Sequence, residues 1–412
     1  MKYGCIGEHL SHSFSAEIHA ALSDYKYEIH EVEREALDTF LTERDFLGIN
    51  VTIPYKEAVI PHLYYIDGTA QAIGAVNTIV NRGGLLYGYN TDFYGMSELI
   101  AHAKISLAGK KVAILGTGGT AKTAKAVSAA LGAREIITVS RTEKNGAVSY
   151  ESLYESHADI EIVINTTPVG MYPRGAEVPI DISCFPKLCG VIDAIYNPLR
   201  SRLVLAAKER KIAAEGGLYM LVAQAVRASE IFLGISYPEG TSEKVYRKIF
   251  KSKENVVLIG MPSSGKSTVG KIIADTLARE FVDTDDVISD RANMTIPDIF
   301  KEYGEKYFRD RECEAVFDSS AVSARVIATG GGAPLRDENV TALRQNGRIY
   351  FIDRPIDLLT PTSDRPLALD KTAIEARYRE RYLIYSGICD VKIDADGTPN
   401  EVAEKILEDF RK

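Results

Sequence analysis

The sequence predicts an α/β protein organised around two glycine-rich turns, each with an apolar strand before it and a helical pattern after it. At the first, residues 111–115 lead into Gly116-Thr117-Gly118-Gly119-Thr120-Ala121 and then a helix over 122–131. At the second, residues 256–259 lead into Gly260-Met261-Pro262-Ser263-Ser264-Gly265-Lys266-Ser267-Thr268 and a helix over 269–277. A third observation is the alternation of strand and helix patterns after the second turn, which predicts a parallel sheet covered by helices.

The bulk properties agree with this class. Of 412 residues, 45% are hydrophobic and 26% charged, the balance of a globular chain of two or three domains. Net charge is −8 with no basic block, which argues against nucleic acid or an anionic membrane as a general partner. No apolar run approaches a membrane span, and the first residues enter a strand directly, so no signal peptide and a cytoplasmic location are expected. The five cysteines are scattered without a C-x-x-C pair, Cys184 and Cys189 being nearest, and read as reduced packing residues.

In chain order, residues 3–6 predict a strand, and Ser13 and Ser15 precede a helix over 16–22 as candidate caps. A strand over 27–32 and a helix over 37–46 follow. Residues 48–54 read as a strand halted by Pro54, and 74–80 with 85–89 as a hairpin. After the first glycine turn come strands at 135–139, 160–165 and 190–193 and helices at 201–210 and 218–232. The charged stretch Tyr246-Arg247-Lys248-Ile249-Phe250-Lys251-Ser252-Lys253-Glu254-Asn255 marks a junction, placing the boundary near 252. Strands at 256–259, 326–329 and 348–352 follow it. The expected division is 1–252 and 253–412. Within the first part, residues 1–100 with returning C-terminal helices would form one lobe and 101–235 a Rossmann-like lobe.

The second turn matches G-x-x-x-x-G-K-[ST] in its required strand–turn–helix frame, a phosphate-binding loop. Backbone N–H groups and a helix N-terminus would face the phosphates. Lys266 can reach the outer phosphates and the Ser267 hydroxyl can ligate Mg²⁺. The first turn, Gly116-x-Gly118-x-x-Ala121, is a dinucleotide fingerprint inside a βαβ unit. Its second strand ends in Ser140-Arg141-Thr142 rather than a carboxylate, which suits the 2′-phosphate of NADP(H). A hydride carrier implies a proton partner. Lys56 and Asp92, each ending a strand-like run, are the candidates.

These strings occur in an ordered set. Ser13-Phe14-Ser15, Asn50-Val51-Thr52-Ile53-Pro54-Tyr55-Lys56, Ala75-Val76-Asn77-Thr78 and Asn90-Thr91-Asp92 come first. Asn165-Thr166-Thr167-Pro168-Val169-Gly170-Met171 and Gly216-Gly217-Leu218-Tyr219-Met220-Leu221-Val222-Ala223-Gln224 follow. The set closely resembles shikimate dehydrogenases over about residues 1–250. The resemblance implies that Ser13, Ser15 and Tyr196 bind the substrate carboxylate. Thr52, Asn77, Asp92 and Gln224 would bind ring hydroxyls, and Lys56 paired with Asp92 would be the general acid. Gly116, Gly118, Gly119, Thr120, Ala121, Ser140, Arg141, Thr142 and Gly217 would hold the cofactor. Ser140 replaces an asparagine of the family, and Lys144-Asn145 stands where a second basic residue is frequent, so NADP preference is expected to be weaker.

The last 160 or so residues resemble shikimate kinases. After the phosphate loop come Asp283-Thr284-Asp285, Phe308-Arg309, Gly330-Gly331-Gly332, Arg365-Pro366-Leu367 and Arg381 four residues before Tyr385. The resemblance implies that Gly260, Ser263, Ser264, Gly265, Lys266, Ser267 and Thr268 hold ATP, and that Ser267 and Asp283 hold Mg²⁺. Arg309, Arg381, Gly331, Gly332 and Asp285 would hold shikimate, Asp285 also orienting the nucleophile. Arg365, on a lid over 357–369, would close on the phosphates with Lys266. The family's further arginine upstream of Arg365 is absent here, so the adenine contact differs. The joint expectation is a bifunctional enzyme with small-molecule substrates only, compatible with a homodimer. It would reduce 3-dehydroshikimate with NADPH and phosphorylate shikimate with ATP. The rival expectation is a dehydrogenase fused to a regulatory ATP-binding module.

Overall fold

Three sheets carry the fold in the computed structural model, which describes residues 1–8, 10, 14–143, 146–359 and 371–412. The chain divides into two units, Met1–Phe250 and Lys251–Lys412.

The first unit opens with β1 (Tyr3–Gly7), β2 (Tyr27–Glu31), β3 (Gly48–Val51), β4 (Tyr65–Ile66), β5 (Thr78–Arg82) and β6 (Leu85–Tyr89), a mixed sheet ordered β2-β1-β3-β5-β6-β4. The predicted hairpin is β5–β6. Its two turn residues, Gly83 and Gly84, have φ of 60° and 83°, the left-handed pair a tight hairpin turn requires. Helices α1 (Ser15–Leu22), α2 (Leu37–Glu43), α3 (Gly68–Ile73) and α4 (Thr91–His102) belong to this region. The strand expected to run to Pro54 ends at Val51, and Lys56 lies in the turns beyond it. Phe14, not a serine, occupies the cap of α1 and makes no side-chain cap bond; Ser15 is already helical.

The second sheet is parallel: β7 (Lys111–Leu115), β8 (Glu135–Val139), β9 (Ile162–Asn165), β10 (Gly190–Asp193) and β11 (Ala213–Glu215), ordered β11-β10-β9-β7-β8. The helices α5 (Gly119–Ala130), α6 (Tyr150–Ser156) and α7 (Arg202–Glu209) accompany it. Its strands are apolar on both faces. Val112, Ile114, Ile162 and Ile164 enter one core, and Ala113, Leu115 and Val163 the other. That is why they read as unbroken apolar runs. The strand order reverses between β7 and β9, the position at which open parallel sheets hold ligands beyond the strand ends. Two further helices follow, α8 (Leu218–Leu233) and α9 (Thr241–Lys253). α8 packs on α1 and α4, and its Phe232 fills the space left at Gly48. The expected charged junction is α9: Val245 and Ile249, one turn apart, are buried with Phe14 and Ile18 in the first unit, which keeps the segment helical.

The second unit is built on β12 (Asn255–Ile259), β13 (Glu280–Asp283), β14 (Arg325–Ala328), β15 (Gly347–Asp353) and β16 (Val391–Asp394), parallel and ordered β13-β14-β12-β15-β16. β16 is short and charged, and sequence pattern does not reveal it. β12 is central: Val256 and Leu258 enter one core, Val257 and Ile259 the other, all with no exposure. Burial of each such side chain contributes roughly 1.5–3 kcal/mol. The helices are α10 (Lys266–Leu277), α11 (Thr284–Ala292), α12 (Ile296–Ala321), α13 (Asp337–Asn346), α14 (Lys371–Ile388) and α15 (Pro399–Arg411). α12 is broken at Gly304, where φ is 79°, a conformation glycine adopts without steric cost. No helix among the described residues is long and apolar enough to cross a membrane.

Candidate active sites

In the first unit a cavity of about 270 Å³ gathers Ser15, Thr52, Lys56, Asn77, Asp92, Tyr196 and Gln224, with Thr120 and Gly217 from the predicted cofactor set. Ser13 lies outside the described residues. The aspartate expected to close a strand sits in the first turn of α4, behind the cap residue Asn90, whose side chain accepts from Phe93 N–H at 3.1 Å. From there its Oδ2 meets Lys56 Nζ at 2.5 Å, with side-chain exposures of 11% and 17%. This ion pair is held off from bulk water, where such contacts are stronger than surface pairs.

The cavity wall is a hydrogen-bonded relay. Asn77 Oδ1 accepts from Thr91 N–H at 2.7 Å, and its Nδ2 donates to Thr91 Oγ1 at 3.1 Å. Thr91 Oγ1 also faces Gln224 Oε1 at 3.3 Å. On the other side Tyr27 donates to Asn50 Oδ1 at 2.7 Å, and Asn50 donates to Thr78 Oγ1 at 3.0 Å. Tyr27 and Asn50 line the cavity and fix its shape. The Asn-Val-Thr string already contained Asn50, but a strand tyrosine twenty-three residues upstream carries no local signal.

The dinucleotide turn approaches the same place. Gly116 has φ of 108°, and a Cβ there would lie 2.8 Å from Thr166 Oγ1, so no side chain fits. Gly118 caps α5, and Ala121 is buried. A Cβ on Gly119 would sit 3.9 Å from Lys56 Cδ, which places the turn against the lysine stem. Arg141 is exposed just after β8, and Ser140 Oγ accepts from Thr142 N–H at 3.4 Å. This exposed guanidinium suits a solvent-side phosphate. A turn that admits no side chain at Gly116, a helix N-terminus and an exposed cation fit a phosphorylated dinucleotide.

In the second unit Gly260, Ser263 and Gly265 take φ of 148°, 63° and 92°, wrapping the loop around the head of α10. Lys266 is 5% exposed, and its Nζ donates to the carbonyls of Gly260 and Met261 at 3.0 and 2.9 Å. Ser264 is buried, and Thr268 lies in the first turn of α10. Ser267 Oγ donates to Asp283 Oδ2 at 2.6 Å, and Asp283 Oδ1 accepts from Asp285 N–H at 3.0 Å. A hydroxyl and a carboxylate side by side are hard oxygen donors suited to Mg²⁺ bridged to phosphate.

The glycine triplet explains itself by what crowds it. A Cβ on Gly332 would strike the Arg309 guanidinium, and one on Gly330 the Asp285 carboxylate. A Cβ on Gly331 would lie 3.2 Å from Pro262 of the phosphate loop. The Gly331 carbonyl accepts from Arg381 Nη1 at 3.0 Å and Tyr385 OH at 2.6 Å. Arg309 donates to Glu312 Oε2 at 2.8 Å. Burial works against the Arg309 charge, but Glu312 and Glu305 hold its pKa above the usual value. Burial likewise pushes the Glu312 carboxyl up, with Arg309 opposing. Arg377, not anticipated, is held below the usual guanidinium value by burial and then by Arg381, with Arg309 contributing. Arg365 lies outside the described residues, as do residues 360–369 of the expected lid and Lys144 and Asn145.

Comparison with known proteins matches a shikimate dehydrogenase substrate-binding domain model to residues 5–79 and a shikimate kinase model to residues 262–411. A shikimate dehydrogenase (NADP(+)) from Clostridium perfringens is 36% identical over 265 residues, covering 60% of this chain and 97% of the relative. The solved shikimate dehydrogenase 1 of Peptoclostridium difficile has 34% identity and a TM-score of 0.56, over 60% of this chain and 98% of the other. That of Thermus thermophilus, solved with NADP(H) and shikimate, has 30% identity and a TM-score of 0.54, over 60% and 99%. The chain therefore belongs to the shikimate dehydrogenase family, and it carries a shikimate kinase domain after its dehydrogenase unit.

Proposed function

We propose that this chain is a bifunctional enzyme, reducing 3-dehydroshikimate to shikimate with NADPH and phosphorylating the shikimate 3-hydroxyl with ATP and Mg²⁺. The observation that carries the reading is the Lys56–Asp92 pair at 2.5 Å in a cavity that also gathers hydroxyl and amide side chains. Bound NADPH supplies the hydride. Lys56 donates a proton to the oxygen that becomes a hydroxyl, and Asp92 orients it. Ser13, Ser15 and Tyr196 hold the carboxylate; Thr52, Asn77 and Gln224 hold ring hydroxyls and so fix the face presented. Gly217 and the residues of the Gly116 turn position the dinucleotide, with Ser140, Arg141 and Thr142 at its ribose phosphate.

In the second unit, bound MgATP supplies the phosphoryl group. Arg309 and Arg381 clamp the acceptor carboxylate. Gly331 and Gly332 let the backbone approach the ring, and Asp285 orients the attacking hydroxyl and accepts its proton. Lys266 and Arg365 neutralise charge on the phosphates, and Ser267 with Asp283 holds the metal. The two units act independently: fragments 1–252 and 253–412 each carry a full set.

The test is to supply the full chain with 3-dehydroshikimate and NADPH, then MgATP, and follow NADPH loss and shikimate 3-phosphate. Absence of NADPH oxidation removes the dehydrogenase reading. Reduction without phosphorylation leaves the second unit as an ATP-binding module.

A further inference from the structure

Asp193, the last residue of β10, is fully buried. Its Oδ1 accepts from Asn165 Nδ2 and the Ile195 N–H, each at 3.0 Å, and its Oδ2 from the Ser201 hydroxyl at 2.5 Å. A buried carboxylate is costly, and three donors make it tolerable. What those donors belong to gives the group its interest.

One arm leads to the dinucleotide turn. Asn165 ends β9, and its Oδ1 accepts from the Thr167 N–H at 3.0 Å and the Thr167 hydroxyl at 2.7 Å. Thr166 donates to the Leu115 carbonyl at 2.5 Å and packs over Gly116. The second arm leads to the substrate cavity. The fixed Ile195 N–H lies between Ala194 and Tyr196, both of which line that cavity. The Ile195 carbonyl accepts from Gly217 N–H at 2.8 Å, and the Ala194 carbonyl occupies the space of any side chain at Gly217. The third arm, Ser201, caps α7 by accepting from Val204 N–H at 3.3 Å.

We infer that Asp193 is a positioning residue of the dehydrogenase unit, its carboxylate locking the Thr166–Thr167 turn and the Ala194–Tyr196 wall into one register. Asp193 lines neither site and acts through both. The inference rests on the dehydrogenase reading of the first unit.

Burial pushes the Asp193 carboxyl up to about 6, against hydrogen bonds from Ser201, Ile195 and Asn165. Among the described residues its hydrogen-bond donors are Asn165 from β9, Ser201 at the head of α7 and the Ile195 N–H, all of them neutral. The folded-state value is raised above the unfolded one, so from about pH 4 to 6 the folded state binds more protons and this group's contribution to stability falls as pH rises. The register survives protonation, because the acid can direct its proton from Oδ2 to the Ser201 oxygen while Oδ1 still accepts from Asn165 and Ile195.

The experiment measures kcat and the KM for shikimate and for NADP separately, in shikimate oxidation by the full chain. Asp193→Leu removes the acceptor of both arms and should raise both KM values about tenfold together, with kcat changing less. Asp193→Asn, whose amide oxygen still accepts from Asn165 and Ile195 and whose NH₂ donates to Ser201, should bring both KM values back close to those of the unmodified chain. Asn165→Leu cuts only the arm to the dinucleotide turn and should raise the KM for NADP more than that for shikimate, which keeps the test open if Asp193→Leu does not fold. Unchanged KM values in Asp193→Leu and Asn165→Leu, or a loss of thermal stability alone, overturn the inference. Failure of the unmodified chain to oxidise shikimate overturns the dehydrogenase reading itself.

Discussion

The two units hold the lysines of their candidate sites in opposite ways. Lys56 of the first unit is fixed by a carboxylate from another element, Asp92 on α4, at 2.5 Å. Lys266 of the second is directed at the carbonyls of its own loop, Gly260 and Met261. The first arrangement is preorganised by side chains brought together across the fold, and it suits a group that must present a proton at one point. The second keeps a cation folded against its loop, from which it can be drawn out by phosphates. The proposed acceptor recognition differs in the same sense: hydroxyls and amides in the first unit, guanidiniums in the second. A general acid can coexist with neutral hydrogen-bonding groups, whereas phosphoryl transfer to an anionic acceptor needs compensating positive charge.

The largest effect that tests this contrast is Lys56→Ala. Loss of a general acid should lower kcat for 3-dehydroshikimate reduction by about 10²–10⁴, while NADPH binding and phosphorylation stay as they were. A near-normal kcat, read by NADPH absorbance, would break the contrast at its first term. Arg365→Ala comes next. It should lower kcat and kcat/KM for phosphorylation together by about a hundredfold, as a charge lost from the transferring group does. Shikimate binding by calorimetry should be unchanged.

Arg309→Ala should act on the ground state, raising the KM for shikimate by about tenfold or more with a smaller change in kcat. The substitution also strips Glu312 of its partner at 2.8 Å. Glu312 is almost wholly buried, and its carboxyl is already pushed up by burial. The double change Arg309→Ala with Glu312→Gln should therefore regain thermal stability without regaining affinity. If affinity returns as well, Arg309 serves the fold and not the acceptor.

What could be read in advance follows a physical division. The glycine turns and their strands were legible because each is local: β7, β8 and β10 fall at the predicted residues, and buried parallel strands have to be apolar runs. Lys56, Asn77, Asp92 and Gln224 were legible as members of ordered strings, and they meet in one cavity. The misses lie where tertiary contact overrides local chemistry. Ser15 reads as a cap and is helical. The charged stretch around 246–255 reads as a connector, yet Val245 and Ile249 one turn apart make it a helix. Asp193 gave no signal, because its meaning comes from Asn165 and Ser201, twenty-eight and eight residues away. Arg377 was hidden among the other charges of α14 until the fold set it near Arg381 and Arg309.

The smallest effect concerns the outer edge of the dinucleotide site. Arg141 follows β8 and is exposed, and the neighbouring Ser140 hydroxyl accepts from Thr142 N–H at 3.4 Å. A guanidinium contact made in water is weakened by solvent and salt, so its loss should cost much less than the loss of Lys56. Arg141→Ala should raise the KM for NADPH by about three- to tenfold and leave the KM for NADH nearly unchanged, since only the former carries a 2′-phosphate. The wild-type advantage should shrink as ionic strength rises, because a solvent-exposed ion contact is screened over about 10 Å at 0.1 M salt. Equal changes for both nucleotides would mean that Arg141 supports the turn without touching the phosphate. A salt-independent difference would mean that the discriminating contact is shielded from solvent, and would move the search from Arg141 to the half-buried Ser140.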